Sequence, residues 1–303
     1  MTIADSSLLC AAADAAGAQQ YPAGALYVVA TPIGNLADLS LRAVHVLALV
    51  DAVACEDTRH SAPLLRHLGL DKPLLAVHQH NERDAARGVL ARLARGERVA
   101  YVSDAGTPAL SDPGAVLVAA VRDAGFRVLP IPGASAAVAA LSVAGDVHAT
   151  AFRFAGFLPA RAGERAQALA SLLAQPDAQV LFEAPHRIES LCRALGAACP
   201  ERVVTLCREL TKQFETVATM PASALVGWLA ADVNRLRGEF VVVLHAPQAV
   251  ASAVQNHDTT LLPLLAALPL KQAVALAAQL TGAPRNALYE RALALKDSGA
   301  ASR

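Results

Sequence analysis

From Ala25 onward, short β-branched runs alternate with stretches of helical periodicity, and this alternation restricts the fold more than any other feature. Strands are expected at Ala25–Ala30, Ala52–Glu56, Val99–Val102 and Arg127–Pro130. Helices are expected between them, at Leu39–Val50, Asn81–Arg95, Pro113–Ala124 and Ser135–Ala144. Leu41, Val44, Leu47 and Val50 recur at a spacing of three, one face of a helix. Such a pattern predicts a mainly parallel sheet wrapped by helices. A second series starts near Arg153, with strands at Ala178–Glu183, Arg202–Arg208, Glu215–Met220 and Glu239–His245. Its helices are expected at His186–Leu195 and Ala222–Ala231, and its shorter crossovers suggest a mixed sheet. After the loop Ala246–His257 come two helical stretches, Lys271–Leu280 and Pro284–Lys296. They meet at Thr281-Gly282, where Gly282 suits the position just past a helix and Pro284 the first turn of the next.

The expected organisation is a mobile tail over residues 1–23 and α/β domains over 24–145 and 146–247. A helical extension over 248–303 follows, either a small nucleic-acid-binding module or a cap packed on the core or on a partner subunit. Apolar residues make up 54% of the 303, enough for full cores. The 26 basic and 26 acidic side chains cancel, which argues against coating nucleic acid by bulk positive charge but leaves room for a local basic patch. The five cysteines are odd in number and lack CxxC spacing, so neither a disulfide framework nor a thiolate zinc site is expected, and a reducing cytoplasm suits them. His78 and His80 lie two apart with no further ligand indicated, so no metal is expected. No segment reads as membrane-spanning; the charge-free window Val128–Gly145 is broken by Pro130, Pro132 and Gly133.

The glycines exclude several ligand-binding devices. None of the 18 is followed by another two positions on, so the dinucleotide fingerprint G-x-G-x-x-G is absent. No Gly-Lys pair marks a phosphate loop, and no G-x-S-x-G marks a hydrolase nucleophile. An α/β enzyme that binds its ligand through other loops remains.

Four loops follow strands directly, where ligands sit in open α/β sheets. Thr31–Asp38 carries Pro32 and Gly34, and Asp38 is placed to cap the next helix. Ser103–Pro108, continuing to Gly114, holds two carboxylates, two glycines and two prolines. Pro130–Ser135 combines Pro132 and Gly133 with small side chains, and Ser135 is a candidate cap. Cys55–His60 groups Glu56, Asp57, Arg59 and His60; Asp57 suits a helix cap and an ionisable cluster for acid–base work equally. In the second series, Phe182–Arg187, Arg208–Thr216 and Gly238-Glu239 stand in comparable places.

The strings ATPIGNLADLSLRA, CEDTRH, HQHNE, VSDAGTPALSDPG, PIPGASA, GFLP, RELTKQFET and GEFVVV occur in this order. Together they resemble the ribosomal RNA small subunit methyltransferase I family of the tetrapyrrole methylase superfamily, over about Gly24 to Lys296. The resemblance implies two α/β domains with S-adenosylmethionine in the cleft between them, usually in a homodimer. It also implies 2′-O-methylation of a cytidine (1402 in rRNA numbering) in the decoding centre of 16S rRNA, within the 30S subunit. The cofactor would be lined by Pro32, Asp104, Ala105, Gly106, Thr107, Pro132, Gly133, Ala134, Ser135, Phe182, Glu183, Gly238 and Glu239. The third loop departs mildly from the family, with Ala134-Ser135 where relatives often have Pro-Cys or Pro-Ser.

For such a reaction a carboxylate or His is needed near the ribose hydroxyl. The candidates are Asp57, His60, Glu56 and Glu209, with Asp57 favoured and Arg59 gripping a phosphate or orienting the acid. Arg59, Arg208 and Lys212 are the expected RNA contacts, gathering with the basic residues of the tail on one face. A tetrapyrrole methyltransferase would share the fold, and a non-catalytic ribosome-binding protein is the other class. The EDTRH and RELTK segments and the helical extension speak against the former, the retained cofactor loops against the latter.

Overall fold

The computed structural model describes residues 3–78, 81–247 and 257–300, so His80 and most of the loop before His257 lie outside the described residues. Two compact units emerge, residues 1–246 and 247–303.

The first unit contains two sheets. Strands β1 (Ala25–Val29), β2 (Ala52–Cys55), β3 (Leu74–Ala76), β4 (Val99–Val102) and β5 (Arg127–Ile131) form a parallel sheet in the order β3-β2-β4-β1-β5. Helices α2 (Leu41–Leu49) and α3 (Thr58–His67) cover one face, where Val44, Leu47 and Leu65 meet Tyr27, Val29, Val53 and Cys55. Helices α4 (Glu82–Ala94) and α5 (Ala115–Asp123) cover the other, where Val89, Leu93, Leu117 and Val121 meet Leu26, Ala54, Val99 and Tyr101. Burial on both faces explains why these strands read as nearly continuous apolar runs. Because all five strands are parallel, the loops after β1, β2, β4 and β5 leave from one edge.

Helix α6 (Ala136–Ala144) leads to the second sheet. Its strands are β6 (Phe152–Phe157), β7 (Ala178–Glu183), β8 (Val203–Arg208), β9 (Thr216–Pro221) and β10 (Phe240–Leu244), in the order β6-β7-β10-β8-β9. β6 and β7 are parallel; the other pairings are antiparallel, so the sheet is mixed. Helices α7 (Ala162–Leu173), α8 (Pro185–Ala198) and α9 (Leu225–Ala230) cover one face. On the other, Ala137, Ala140 and Ala144 of α6 lie against Val180, Cys207, Val241 and Val243, together with Ile33 from the first loop. Phe240 pairs with Glu183 and Arg208, which brings the ends of β7 and β8 and the start of β10 to one edge.

The second unit is described by itself. Helices Asp258–Ala267, Leu270–Thr281 and Arg285–Ala300 enclose Leu261, Val274, Ala277, Leu288 and Ala292. Gly282 ends the second helix with φ +70° and Arg291 grips Asp258 with contacts of 2.6 and 3.0 Å. The sequence gives two helices here; the structure adds a first one, which contains Pro263.

Several expectations need correction. The mobile tail is replaced over Ile3–Ala16 by a helix, α1, on α2: Ala12 and Ala16 are buried, and Leu8 and Leu9 pack on the same core. The spacing Leu8, Ala12, Ala16 is one helical stripe. Asp38 caps nothing; it ends a short 3₁₀ turn, and the Ser40 side chain caps α2 instead. Ser135 precedes α6 without a side-chain cap bond. Among the described residues no helix is long and apolar enough to cross a membrane. All five cysteines are free thiols, and no group of three or more His, Cys, Asp or Glu could hold a metal among the described residues.

The Asp112-Pro113 pair does not start α5. Gly114 does, at φ +128°, where a Cβ would strike the Tyr101 ring. Its N–H and that of Leu117 both donate to Glu82 Oε1 at 2.9 Å, so an acid at the start of α4 caps α5. Glu82→Ala leaves two buried donors unsatisfied and is expected to cost about 2–3 kcal/mol in urea unfolding. Glu82→Gln, which keeps one acceptor oxygen, should lose less than half of that; wild-type midpoints for both would refute the cap.

Candidate active site

The loops after the neighbouring strands β1 and β4 are tied together. Thr31 N–H donates to Gly106 O at 2.9 Å, and Gly106 N–H returns the bond to Thr31 O at 3.1 Å. Thr31 Oγ1 adds a third bond, to Ser103 O at 3.2 Å. Gly106 has φ +81°, and a Cβ there would lie 3.3 Å from Ile33 Cγ2, so glycine is required on both counts. Thr107 Oγ1 donates to Ala134 O at 3.0 Å, extending the tie to the loop after β5.

Two cavities flank this junction. The larger, about 380 Å³, lies between the sheets and is lined by Ala105, Gly106, Thr107, Ser135, Phe182, Glu183 and Glu239 of the expected cofactor residues. The smaller, about 290 Å³, is lined by Pro32 and Asp104 from that set, and by Thr31, Ser103, His60 and His67. Four expected residues line neither cavity. Pro132 precedes Gly133, whose added Cβ would sit 3.0 Å from Ala30 Cβ; the glycine is needed for close packing. Ala134 offers its carbonyl to Thr107. Gly238, at φ +91°, makes room for Glu209, whose Cγ lies 2.5 Å from where a Cβ would stand.

Phe154 and Phe157, also lining the larger cavity, were not foreseen. Both pack edge-on against Phe182, at 5.0 and 5.7 Å. They lie on β6, where a register irregularity between Phe154 and Gly156 breaks the plain alternation. The recurrence of Phe152, Phe154 and Phe157 was the available signal.

Glu183 sits beside the larger cavity but turns away from it. It has no side-chain exposure; its Oε1 accepts from Ala184 N–H at 3.0 Å and faces Arg187 Nε at 3.0 Å. It has the parity of Leu181, which packs under the helices, and not of Val180 and Phe182, which face the cleft, so its buried carboxylate is paired with Arg187 of α8. Asp112 lines the larger cavity, and burial, then Asp104, push its carboxyl up. Glu56 is pushed up likewise, by burial first and then by Asp112, Asp104 and Asp57.

The expected catalytic and RNA-binding residues fall into different circumstances. Asp57 caps α3 through Arg59 N–H at 2.8 Å and is gripped by the Arg59 guanidinium at 2.5 and 3.0 Å. Those bonds hold its carboxyl at about 2 and occupy both its oxygens, an arrangement that suits a structural cap better than the favoured role of proton acceptor. Glu209, at φ +52°, accepts from Lys212 Nζ and Glu239 N–H, both at 2.9 Å. Burial raises its carboxyl, but these bonds outweigh burial and hold it low, so it too is corrected as a base. Lys212 is also bound to Glu239 at 2.9 Å, and its charge is committed to two acids rather than offered to RNA. Arg208 is buried, donating to Arg237 O at 2.6 Å and Phe214 O at 3.1 Å; it anchors loops and cannot meet RNA. Arg59 remains open, with 87% of its side chain exposed. His60 Nδ1 lies 2.9 Å from Asp104 Oδ2.

A parallel sheet joined to a mixed sheet, with a cleft between them built from strand-end loops, is the architecture of the tetrapyrrole methylases. The family of Tetrapyrrole (Corrin/Porphyrin) Methylases matches residues 25–226, and that of the RsmI C-terminal HTH domain matches residues 250–296. Uroporphyrin-III-C-methyltransferase from Thermus thermophilus superposes with a TM-score of 0.52 at 23% identity, covering 73% of this chain and 94% of that one. Diphthine synthase does so with 0.53 at 18%, covering 73% and 90%. At such identities the likeness concerns the fold. Closer in sequence are the ribosomal RNA small subunit methyltransferases I of Pseudomonas aeruginosa, 48% identical over 275 residues (89% of this chain, 97% of that one), and of Escherichia coli O157:H7, 45% over 272 (89% and 95%). The chain belongs to the ribosomal RNA small subunit methyltransferase I family.

The Asp57–Arg59 pair yields a direct test. The Asp57 carboxyl, followed by carbon-13 NMR, should titrate near 2. Arg59→Ala should raise it toward the ordinary value of about 4. An unmoved midpoint would show that Arg59 is not the cause.

Proposed function

We propose that the protein uses S-adenosylmethionine to methylate the 2′-hydroxyl of a cytidine, 1402 in rRNA numbering, in small-subunit ribosomal RNA. The observation that carries the cofactor part is a cleft of about 380 Å³ lined by the strand-end loops at Ala105–Thr107 and Ser135. Its volume suits a drug-sized ligand. The acids Asp112 and Glu239 suit a cation, while Ile33, Phe154 and Phe182 suit a flat apolar ring. S-adenosylmethionine offers both features, and when bound supplies a methyl group already activated by a positive sulfur. The residues that would hold it are the backbone at Ala105–Thr107, Ser135, Phe182 and Glu239. The rRNA part is supported by the family, whose named members act on small-subunit ribosomal RNA, and by the match of residues 250–296.

The chain's own tasks are positioning and exclusion of water. The Thr31–Gly106 bonds fix the two loops that divide the cavities, so a bound ligand meets a preset wall. The edge-on phenylalanines make one wall of the cleft apolar. The cytoplasmic homodimer acting on the assembled 30S subunit is part of the same reading and rests on the resemblance. A tetrapyrrole substrate is the second reading, motivated by the fold neighbours.

Incubation with methyl-labelled S-adenosylmethionine and 30S subunits lacking the modification should place label on one cytidine ribose, mapped by mass spectrometry. Label on a uroporphyrin precursor instead would overturn the reading. Phe182→Ala should weaken cofactor binding in calorimetry at least tenfold, about 1.4 kcal/mol. Unchanged affinity would remove Phe182 from the site.

A further inference from the structure

We propose that the smaller cavity is the acceptor pocket, taking the ribose of the target nucleotide, and that His60, oriented by Asp104, accepts the hydroxyl proton. This rests on the methyl-transfer reading above. The tied loops separate two spaces: Ala105, Gly106 and Ile33 face the larger cavity, whereas Ser103, Asp104, Pro32 and Gly34 face the smaller. Adjacent residues thus face two neighbouring spaces, and in-line transfer requires the ribose oxygen to reach the methyl carbon past the rim of these loops. The small cavity sets the hydroxyls and imidazoles of Thr31, Ser61, Ser103, His60 and His67 beside the apolar Pro32, Leu36, Pro63 and Leu64, a mixed lining that fits a nucleoside with a polar sugar.

Asp104 is held from two sides. Its Oδ1 accepts from Asp57 N–H at 3.2 Å and its Oδ2 lies 2.9 Å from His60 Nδ1. An ionised carboxylate only accepts, so Nδ1 carries the proton and Nε2 presents its lone pair. Nε2 has no hydrogen-bond partner among the described residues. Of the other acids, Asp57 is engaged with Arg59 and Glu209 with Lys212, Asp112 lines the larger cavity, and Glu56 lines neither cavity. As the ribose oxygen bonds to the methyl carbon, the carbon–sulfur electron pair stays with sulfur and the proton passes to Nε2. The resulting imidazolium is stabilised by Asp104 and, at 3.9 Å, by Asp57. His60 is 66% exposed, so water removes the proton after turnover. The charged and titratable groups around the ring are Asp104 from the β4 loop, Asp57, Glu56 and Arg59 from its own segment, and His67 in the same pocket.

His60→Asn should lower kcat on 30S subunits about 10²–10³-fold, with cofactor affinity by calorimetry within about twofold of wild type. Nitrogen-15 NMR of the resting protein gives a readout independent of turnover: His60 should be the Nδ1–H tautomer, and Asp104→Asn should shift it toward a mixture. Leu64→Trp, which fills the pocket, should raise KM for the subunit at least tenfold and leave cofactor affinity unchanged. Activity of His60→Asn within threefold of wild type, or loss in His67→Asn but not in His60→Asn, would overturn the base while wild-type turnover upholds methyl transfer. An unchanged KM in Leu64→Trp would overturn the pocket. A wild-type protein that transfers no methyl group to RNA would overturn both this inference and the reading beneath it.

Discussion

The pair of reciprocal hydrogen bonds between Thr31 and Gly106 is the constraint on which the site depends. β1 and β4 are parallel neighbours, so their exits are adjacent, but adjacency alone does not fix two loops against each other. The bridge does, and Gly106 makes it possible by taking a positive φ beneath Ile33. Once the loops are locked, their successive residues face alternate sides of a wall, and two chemically different spaces result.

A second joint holds that wall against the other sheet. An added Cβ at Gly34 would lie 2.9 Å from Lys212 Cε and 3.1 Å from Thr211 Oγ1, so the first loop and the RELTK segment touch only because residue 34 has no side chain. Lys212 in turn bridges Glu209 and Glu239, and Gly238 leaves the space that Glu209 fills. Three motifs far apart in the chain therefore form one clasp. Its one lysine is held between two acids, so this charge holds the architecture instead of creating a basic field at the surface.

Much of this was legible in the sequence. Strand runs such as Val99–Val102 and Ala178–Glu183 stood out because both their faces are buried. The loops stood out because Gly and Pro follow the strands directly. Three things were hidden. β3 is three residues long, too short for a pattern, and Pro63 inside α3 imitated a break. Leu8, Ala12 and Ala16 are small or few, so α1 gave a weak stripe. The third was partner choice. That Arg208 turns inward to carbonyls, or that Asp104 reaches His60 across 44 residues, depends on tertiary neighbours that spacing does not encode.

The central claim is that the Thr31–Gly106 wall sorts two reactants. A crystal structure of the protein soaked with S-adenosylhomocysteine tests it most directly. The account predicts the nucleoside in the larger cleft, against Gly106, Thr107 and Phe182, with the His60 pocket still open. Density for the nucleoside in the smaller cavity, beside His60 and His67, would contradict it.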